Sequence, residues 1–147
     1  MLDPTFLAPL LPLADAALRI AVGFLLIPHG LRFAFGMFPD TGNPNQTIGQ
    51  LARSLDAWGY RPGWLWAPMI AVNHLVAGPL LVLGLFTRPV AFILSGQMAA
   101  AYFMAHAPQN FLPLLNGGES AILFCFIFLY LAAAGGGAWS LDAARKA

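Results

Sequence analysis

The strongest constraint on this sequence is the length of its uncharged stretches. No Asp, Glu, Lys or Arg occurs in residues 62–87, 89–116 or 120–141. About 20 predominantly apolar residues are enough to cross the hydrocarbon core of a bilayer. Because lipid offers the backbone no hydrogen-bond partner, a single crossing segment has to be a helix. These stretches therefore predict membrane-spanning helices rather than the core of a water-soluble domain.

The composition of the chain supports the same fold class. Hydrophobic residues make up 59% of the 147 residues and charged residues 9%, whereas about a quarter of a soluble domain is charged. We predict an all-α integral membrane protein with one transmembrane domain, residues 1–147, folded as a four-helix up-down bundle. The predicted spans cover about 12–35, 62–87, 89–106 and 119–138.

Charge and cysteine content exclude several classes of function. The formal net charge is +1, and without a clustered basic patch we expect no nucleic-acid partner. Cys125 has no second cysteine with which to form an internal disulfide. The sequence contains no HExxH motif, carboxylate pair or glycine-rich phosphate loop. We therefore predict no metal site and no covalently bound cofactor.

The first span differs from the others because it contains charged residues. Asp15 and Arg19 have the helical i,i+4 spacing at which two side chains can pair and reach one headgroup layer. We predict that Arg19, and Arg88 after the second span, lie at the membrane interface, and that Arg19 and Arg32 either snorkel outward or face protein rather than lipid. No basic residue precedes Arg19, unlike in a secretory signal, and we expect the first span to be retained.

The distribution of basic residues predicts the orientation of the chain. With four spans, both termini lie on the same side of the membrane as the turn at Arg88. The bases on that side are Arg19, Arg88, Arg145 and Lys146, and those on the other side are Arg32, Arg53 and Arg61. The positive-inside rule therefore favours cytoplasmic termini.

The segment between the first two spans is predicted to hold a turn and a short helix. Residues 38–45 are rich in the turn formers Pro, Gly, Asp and Asn. In residues 45–60, Ile48, Leu51 and Leu55 recur at helical spacing. This pattern indicates either an amphipathic helix on the membrane surface or a loop helix packed on the end of the bundle. An aromatic belt is predicted at the entry of the second span: Trp58, Tyr60, Trp64 and Trp66.

Small residues on the third span predict a helix-packing face. Ala91, Ser95 and Ala99 follow one another at i,i+4 spacing, and Gly96 and Ala100 form a neighbouring line. Small side chains let two helix backbones approach closely in a membrane. We expect this face to contact another helix rather than lipid.

Several polar residues are predicted to share one layer at the outer ends of the spans. His29, Arg32, His106 and Glu119 fall at helix ends that antiparallel threading brings together, with Tyr102 nearby. Ionisable groups at membrane depth usually have a function, and this layer could bind the carbonyl groups of a quinone. In the alternative interpretation, Arg32 pairs with Glu119 and the histidines hydrogen-bond loop carbonyls.

Three polar residues are predicted deeper in the membrane. His74, next to Asn73, lies inside the uncharged second span. It is expected either to hydrogen-bond Gln97 of the third span or to contact a ligand. Haem ligation would require His29 and His106 to face one cavity, and no further feature of the sequence supports it.

Three segments resemble the DoxX family of small four-helix bacterial membrane proteins. They are RIAVGFLLIPHG at 19–30, GPLLVLGLFTRP at 78–89 and PLLNGGESAILFCFIFLYLAAAGGGAWSLD at 113–142. The resemblance implies a multi-pass protein of the bacterial inner membrane. It also implies that the family's recurrent polar positions are occupied here by Arg19, His29, Arg88 and Glu119.

The resemblance also implies a function, because DoxX-like proteins are associated with quinone-linked redox systems. The first hypothesis is an accessory subunit of such a complex, without catalytic activity of its own. Its partners would be the lipid bilayer and other membrane subunits, and quinone is the one cofactor expected. The alternatives are a stand-alone quinone-binding oxidoreductase module, or a carrier or sensor of a small apolar molecule that contacts His74.

Overall fold

The computed structural model describes residues 7–38 and 47–145, and every regular element within them is helical. The all-α prediction is therefore confirmed for this part of the chain. The predicted turn at 38–45 lies outside it except for Phe38, and so does Lys146. The helices are α1 (Leu11–Phe35, after a 3-10 turn at Ala8–Leu10), α2 (Ile48–Ala57), α3 (Gly63–Leu83), α4 (Thr87–Ala101, extended by a π-helical turn at Tyr102–His106), α5 (Pro113–Asn116), α6 (Glu119–Ala134) and α7 (Leu141–Ala144).

Two of the described helices are long and apolar enough to cross a membrane. These are Ala8–Phe35, with 28 residues, and Gly63–Leu83, with 21. Helix α6 is also apolar but has 16 residues, and it ends at Gly135, whose positive φ of 89° halts the helix. Helix α4 has 15 residues before its π-helical turn.

Helices α1 and α3 pack antiparallel and so closely that glycine is needed at their contact. A Cβ atom on Gly23 would lie 2.8 Å from the carbonyl oxygen of Gly78, and one on Gly78 would lie 2.9 Å from that of Gly23. The same holds two turns further along α1, where a Cβ on Gly30 would lie 2.8 Å from the backbone nitrogen of Leu75, about one turn before Gly78 on α3. From one contact to the next, the residue number increases on α1 and decreases on α3, as expected for an antiparallel pair.

Helices α4 and α6 form a second pair through part of the predicted small-residue face. Ala91 is fully buried and Ser95 is 6% exposed, and the Ser95 hydroxyl donates a 2.9 Å hydrogen bond to the carbonyl of Cys125. The rest of the prediction is wrong for this structure. Gly96 and Ala100 are exposed, and a side chain at Gly96 would meet no atom of the described chain within 4 Å.

Helix α2 begins at an N-cap and packs its apolar face on protein. The Thr47 hydroxyl accepts a hydrogen bond from the backbone of Gln50, which satisfies a free N–H of the first turn. Leu51 and Leu55 are buried in a cluster that includes Phe33 of α1. This arrangement matches the loop helix packed on the end of the bundle, the second of the two interpretations of this segment.

The helix contacts define two ends of the molecule. The α7 end contains the start of α1, the end of α3, the start of α4 and the end of α6. The α2 end contains the end of α1, the start of α3, the π-helical turn and the start of α6. Each end gathers a different set of polar side chains, and these sets are the candidate sites.

Candidate functional site

Two residues of the predicted polar layer meet at the α2 end. One guanidinium nitrogen of Arg32 donates a hydrogen bond to Nδ1 of His29 over 3.1 Å. Both side chains come from the last turns of α1, where a spacing of three residues places them on one face. Because Nδ1 of His29 accepts this bond, its proton is on Nε2, which is left as a donor.

His74 of α3 belongs to the same group of residues. Its ring centroid lies 6.3 Å from that of His29 and 5.7 Å from that of Phe33, in an edge-on arrangement. The Arg32 guanidinium carbon lies 5.1 Å from the centroid of the Phe33 ring, within the range of a cation–π contact. We call His29, Arg32, Phe33 and His74 the histidine cluster.

The contacts of His74 define which of its nitrogens can face a ligand. Nδ1 lies 2.8 Å from the carbonyl of Ile70 and 3.3 Å from the side-chain nitrogen of Gln97. A carbonyl can only accept, so the shorter contact assigns the proton to Nδ1 and leaves Nε2 as an acceptor. The oxygen of Gln97 accepts a hydrogen bond from Asn73. Because a protonated Nδ1 of His74 cannot accept from the Gln97 amide, His74 and Gln97 are in contact but the predicted hydrogen bond between them is not formed.

A cavity opens beside the histidine cluster. It has a volume of about 140 Å³ and is lined by Pro28, His29, Arg32 and Phe38. His29 is exposed, whereas Arg32 is 6% exposed. Complete pockets for small molecules measure roughly 300 to 1,000 Å³. The cavity is therefore large enough for the edge of a ring carrying one oxygen and too small for a whole ligand.

The other residues of the predicted layer have different neighbours. Nδ1 of His106 lies 3.0 Å from the carbonyl of Asn116, and the Tyr102 hydroxyl donates to the carbonyl of Phe111. The rings of Tyr102 and His106 are stacked. Glu119 is exposed at the start of α6. His106 thus makes the loop-carbonyl bond of the alternative interpretation, and the single layer is divided into two groups.

Arg19 faces protein, which is one of the two environments predicted for it. Its side chain is 0% exposed, and one guanidinium nitrogen donates to the carbonyls of Leu81 and Val82, each over 2.7 Å. The other guanidinium nitrogen donates to Ala138 and Trp139, over 3.4 and 3.0 Å. Arg19 therefore connects the end of α3 with the segment before α7, because it donates to carbonyls of both.

The expected pairing of Asp15 with Arg19 is replaced by a bond to another helix. Asp15 accepts a 2.6 Å hydrogen bond from the Tyr130 hydroxyl of α6. Helical spacing permits an i,i+4 pair, but Arg19 points into the protein toward backbone carbonyls, which the sequence of α1 alone does not reveal.

Arg88, also predicted at the interface, is exposed and binds the end of α6. It donates to the carbonyls of Ala132, Ala133 and Ala134 over 3.3, 2.6 and 3.3 Å. These carbonyls have no partner within their own helix, and a cation is favourable at this negative end of the helix dipole. The interfacial location of Arg88 stays a prediction, and its role as a cap was not predicted.

Asp142 is a functional group that sequence reasoning missed. Its carboxylate accepts hydrogen bonds from the backbone nitrogens of Phe86 and Thr87, over 2.9 and 2.8 Å, at the start of α4. Burial raises the pKa of Asp142, but these hydrogen bonds and the charge of Arg145 outweigh burial and hold the pKa below its ordinary value. The only sequence feature that could have indicated a role for Asp142 was its place at the end of the WSLD motif.

Within residues 7–38 and 47–145, no group of three or more His, Cys, Asp and Glu side chains could hold a metal ion. The histidine cluster offers hydrogen-bonding groups and one positive charge. His29 offers a donor, His74 an acceptor, and Arg32 a fixed positive charge.

Comparison with known proteins gives the family of the chain. The model of the DoxX family matches residues 14–107, which include the first two resembling segments but stop short of the third. An uncharacterized protein of Haemophilus influenzae is 41% identical over 137 residues, covering 86% of this chain and 87% of that protein. No solved structure matches the chain. The family match and this relative show that the chain belongs to the DoxX family.

Proposed function

We propose that this DoxX-family protein is a four-span subunit of a quinone-linked redox complex in the bacterial inner membrane. In this proposal α1, α3, α4 with its π-helical turn, and α6 cross the bilayer in an up-down arrangement. The α7 end faces the cytoplasm. The subunit contributes part of a quinone site and has no catalytic activity of its own.

Exposed side chains support the four-span arrangement. Bulky apolar residues are exposed on all four helices, among them Phe24, Met69, Ile93 and Phe126. In water such surfaces would associate, whereas lipid or a partner subunit covers them favourably. Aromatic residues are exposed at both ends: Trp58, Tyr60, Trp64 and Trp66 at the α2 end, and Trp139 at the α7 end. Aromatic belts at both membrane interfaces have this distribution.

The histidine cluster beside its cavity is the observation that carries the quinone assignment. A quinone has a carbonyl oxygen that accepts, and its reduced form has a hydroxyl that donates. Nε2 of His29, which lines the cavity, can donate to the quinone carbonyl. His74 is 6% exposed and is not among the residues that line the cavity, so it supports the site by packing beside His29 rather than by contact with the ring.

The size of the cavity favours a subunit over a stand-alone module. A cavity of about 140 Å³ encloses one edge of a quinone ring and leaves the rest outside this chain. A partner chain that covers the exposed His29 would complete the pocket. The apolar tail would then extend along exposed helix surfaces, where it meets side chains as apolar as lipid.

The test is mass spectrometry of the assembly after gentle extraction from native membranes, with quinone measured in the same sample. We expect partner chains and quinone to be retained. His29→Leu should reduce quinone retention, because it removes the donor that lines the cavity. The control is His106→Gln, which removes another histidine at the same end but one whose Nδ1 already binds the Asn116 carbonyl.

Two results would contradict the proposal. Recovery of free monomers at every level of expression would reject the subunit. Equal quinone in the wild type and in His29→Leu would reject the histidine cluster as the site.

A further inference from the structure

A second cavity lies at the α7 end, far from the histidine cluster along the helices. Its volume is about 600 Å³, within the range of complete small-molecule pockets. The wall combines the glycine run that follows α6 with charged side chains from two other segments. The residues that matter for its chemistry are Phe86, Arg88, Asp142, Arg145 and 135–137.

The charges in the wall do not cancel. Arg88 and Arg145 contribute two positive charges and Asp142 one negative charge, which leaves one positive charge. The carboxylate of Asp142 is already occupied by the backbone nitrogens of Phe86 and Thr87. The cavity therefore has a positive charge that its own acid does not neutralise.

Donors remain on both arginines. A guanidinium has five N–H groups, and Arg88 makes three hydrogen bonds to the end of α6. Arg145 lies with its guanidinium carbon 5.3 Å from the centroid of the Phe86 ring, within the range of a cation–π contact. Both side chains are exposed, so an anion can reach them.

The surroundings of the cavity are apolar. Phe86, Leu83, Trp139 and Leu141 are 52%, 52%, 75% and 43% exposed. A site with two guanidinium groups and an apolar rim at the end of membrane-spanning helices matches the phosphate and upper acyl chains of a phospholipid. Bacterial inner membranes present anionic lipid at the cytoplasmic leaflet, which attracts basic residues there.

We infer that this cavity is a binding site for the phosphate group of an anionic membrane phospholipid, held by Arg88 and Arg145. Arg88 supplies a donor fixed in place by its bonds to α6, and Arg145 closes over the phosphate from α7. The inference relies on the proposed membrane placement but not on quinone binding.

The experiment uses the full-length protein in detergent, titrated with phosphatidylglycerol or with phosphatidylcholine of the same acyl chains. Native mass spectrometry measures the bound lipid. We expect phosphatidylglycerol to bind more tightly, and Arg145→Gln to weaken its binding about fivefold. Arg145→Lys should retain most of the affinity because it keeps the charge.

The matched control is Arg53→Gln, which removes the same charge from an exposed residue of α2. An equal loss of affinity in this variant, or equal binding of the two lipids, would overturn the inference. Displacement of phosphatidylglycerol by millimolar inorganic phosphate would also overturn it, since the site would then take soluble phosphate. Quinone content, measured on the same samples, should be unchanged in Arg145→Gln, which separates this inference from the proposed function.

Discussion

The two ends of the molecule use arginine in opposite ways. At the α7 end, Arg19 and Arg88 donate to backbone carbonyls at the ends of α3 and α6. At the α2 end, Arg32 donates to a histidine side chain and lines a cavity. Arg19 and Arg32 are both buried, at 0% and 6% exposure. Burial alone therefore does not distinguish the two buried arginines, whereas their hydrogen-bond partners differ.

The largest expected effect would test the structural role of Arg19. Arg19→Leu leaves the carbonyls of Leu81, Val82, Ala138 and Trp139 without their donor. Each buried carbonyl left unsatisfied is unfavourable, and we expect a loss of about 3 kcal/mol or more in stability. Thermal unfolding in detergent measures it. If Arg19→Leu lost less stability than Arg32→Leu, the structural arginine would be the one at the α2 end.

The second prediction concerns the helix contact that joins the two ends. Gly23→Ala would place a Cβ atom 2.8 Å from the Gly78 oxygen, and backbone atoms cannot move aside locally. We expect the free energy of unfolding to fall by about 1 to 3 kcal/mol, and thermal unfolding in detergent measures this change. Gly96→Ala is the control, because a Cβ there meets no described atom within 4 Å. Equal melting temperatures of the two variants would show that α1 and α3 are not tightly packed.

The third prediction uses acid to weaken the α7 end alone. The pKa of Asp142 is lower in the folded protein than its ordinary value, which is about 4. The carboxylate therefore stabilises the fold above about pH 4, and this contribution is lost as the pH falls through the lower folded pKa. Asp142→Asn should be less stable than the wild type at pH 7, and the difference should shrink at acidic pH. A constant difference would mean that the charge is not involved.

The smallest effect on stability is expected at the α2 end. His29 is exposed, so His29→Leu should change stability by less than about 1 kcal/mol while it reduces quinone retention. Unfolding and quinone content are measured on the same preparation. A large loss of stability with unchanged quinone would make His29 a structural residue like Arg19.

Much of the fold could be predicted from the sequence because lipid restricts the choices. Long uncharged runs predicted helices, and α1 ends at Phe35, the last residue of the first predicted span. Glycine at 135 ended α6 four residues before the predicted boundary of the fourth span. The DoxX resemblance is confirmed by the family match over residues 14–107.

The polar sites were harder to predict because their partners come from tertiary contacts. The spacing of Asp15 and Arg19 favoured a local pair, yet the carbonyls that Arg19 binds belong to residues far along the chain. His29 and Arg32 were correctly expected to lie near each other, but the third member of their group is His74 rather than His106. Asp142 was missed because an acid becomes a helix cap only when the chain brings a helix start to it.

The reach of Arg19 has a consequence for biosynthesis. Its acceptors lie 62 to 120 residues downstream, so Arg19 is synthesised before any of them. A cation without partners in an apolar environment is unfavourable, and the packing of α1 against its neighbours can be completed only after Trp139 has been made. The hydrogen bonds of Arg19 are thus expected to be among the last to form as the protein is made.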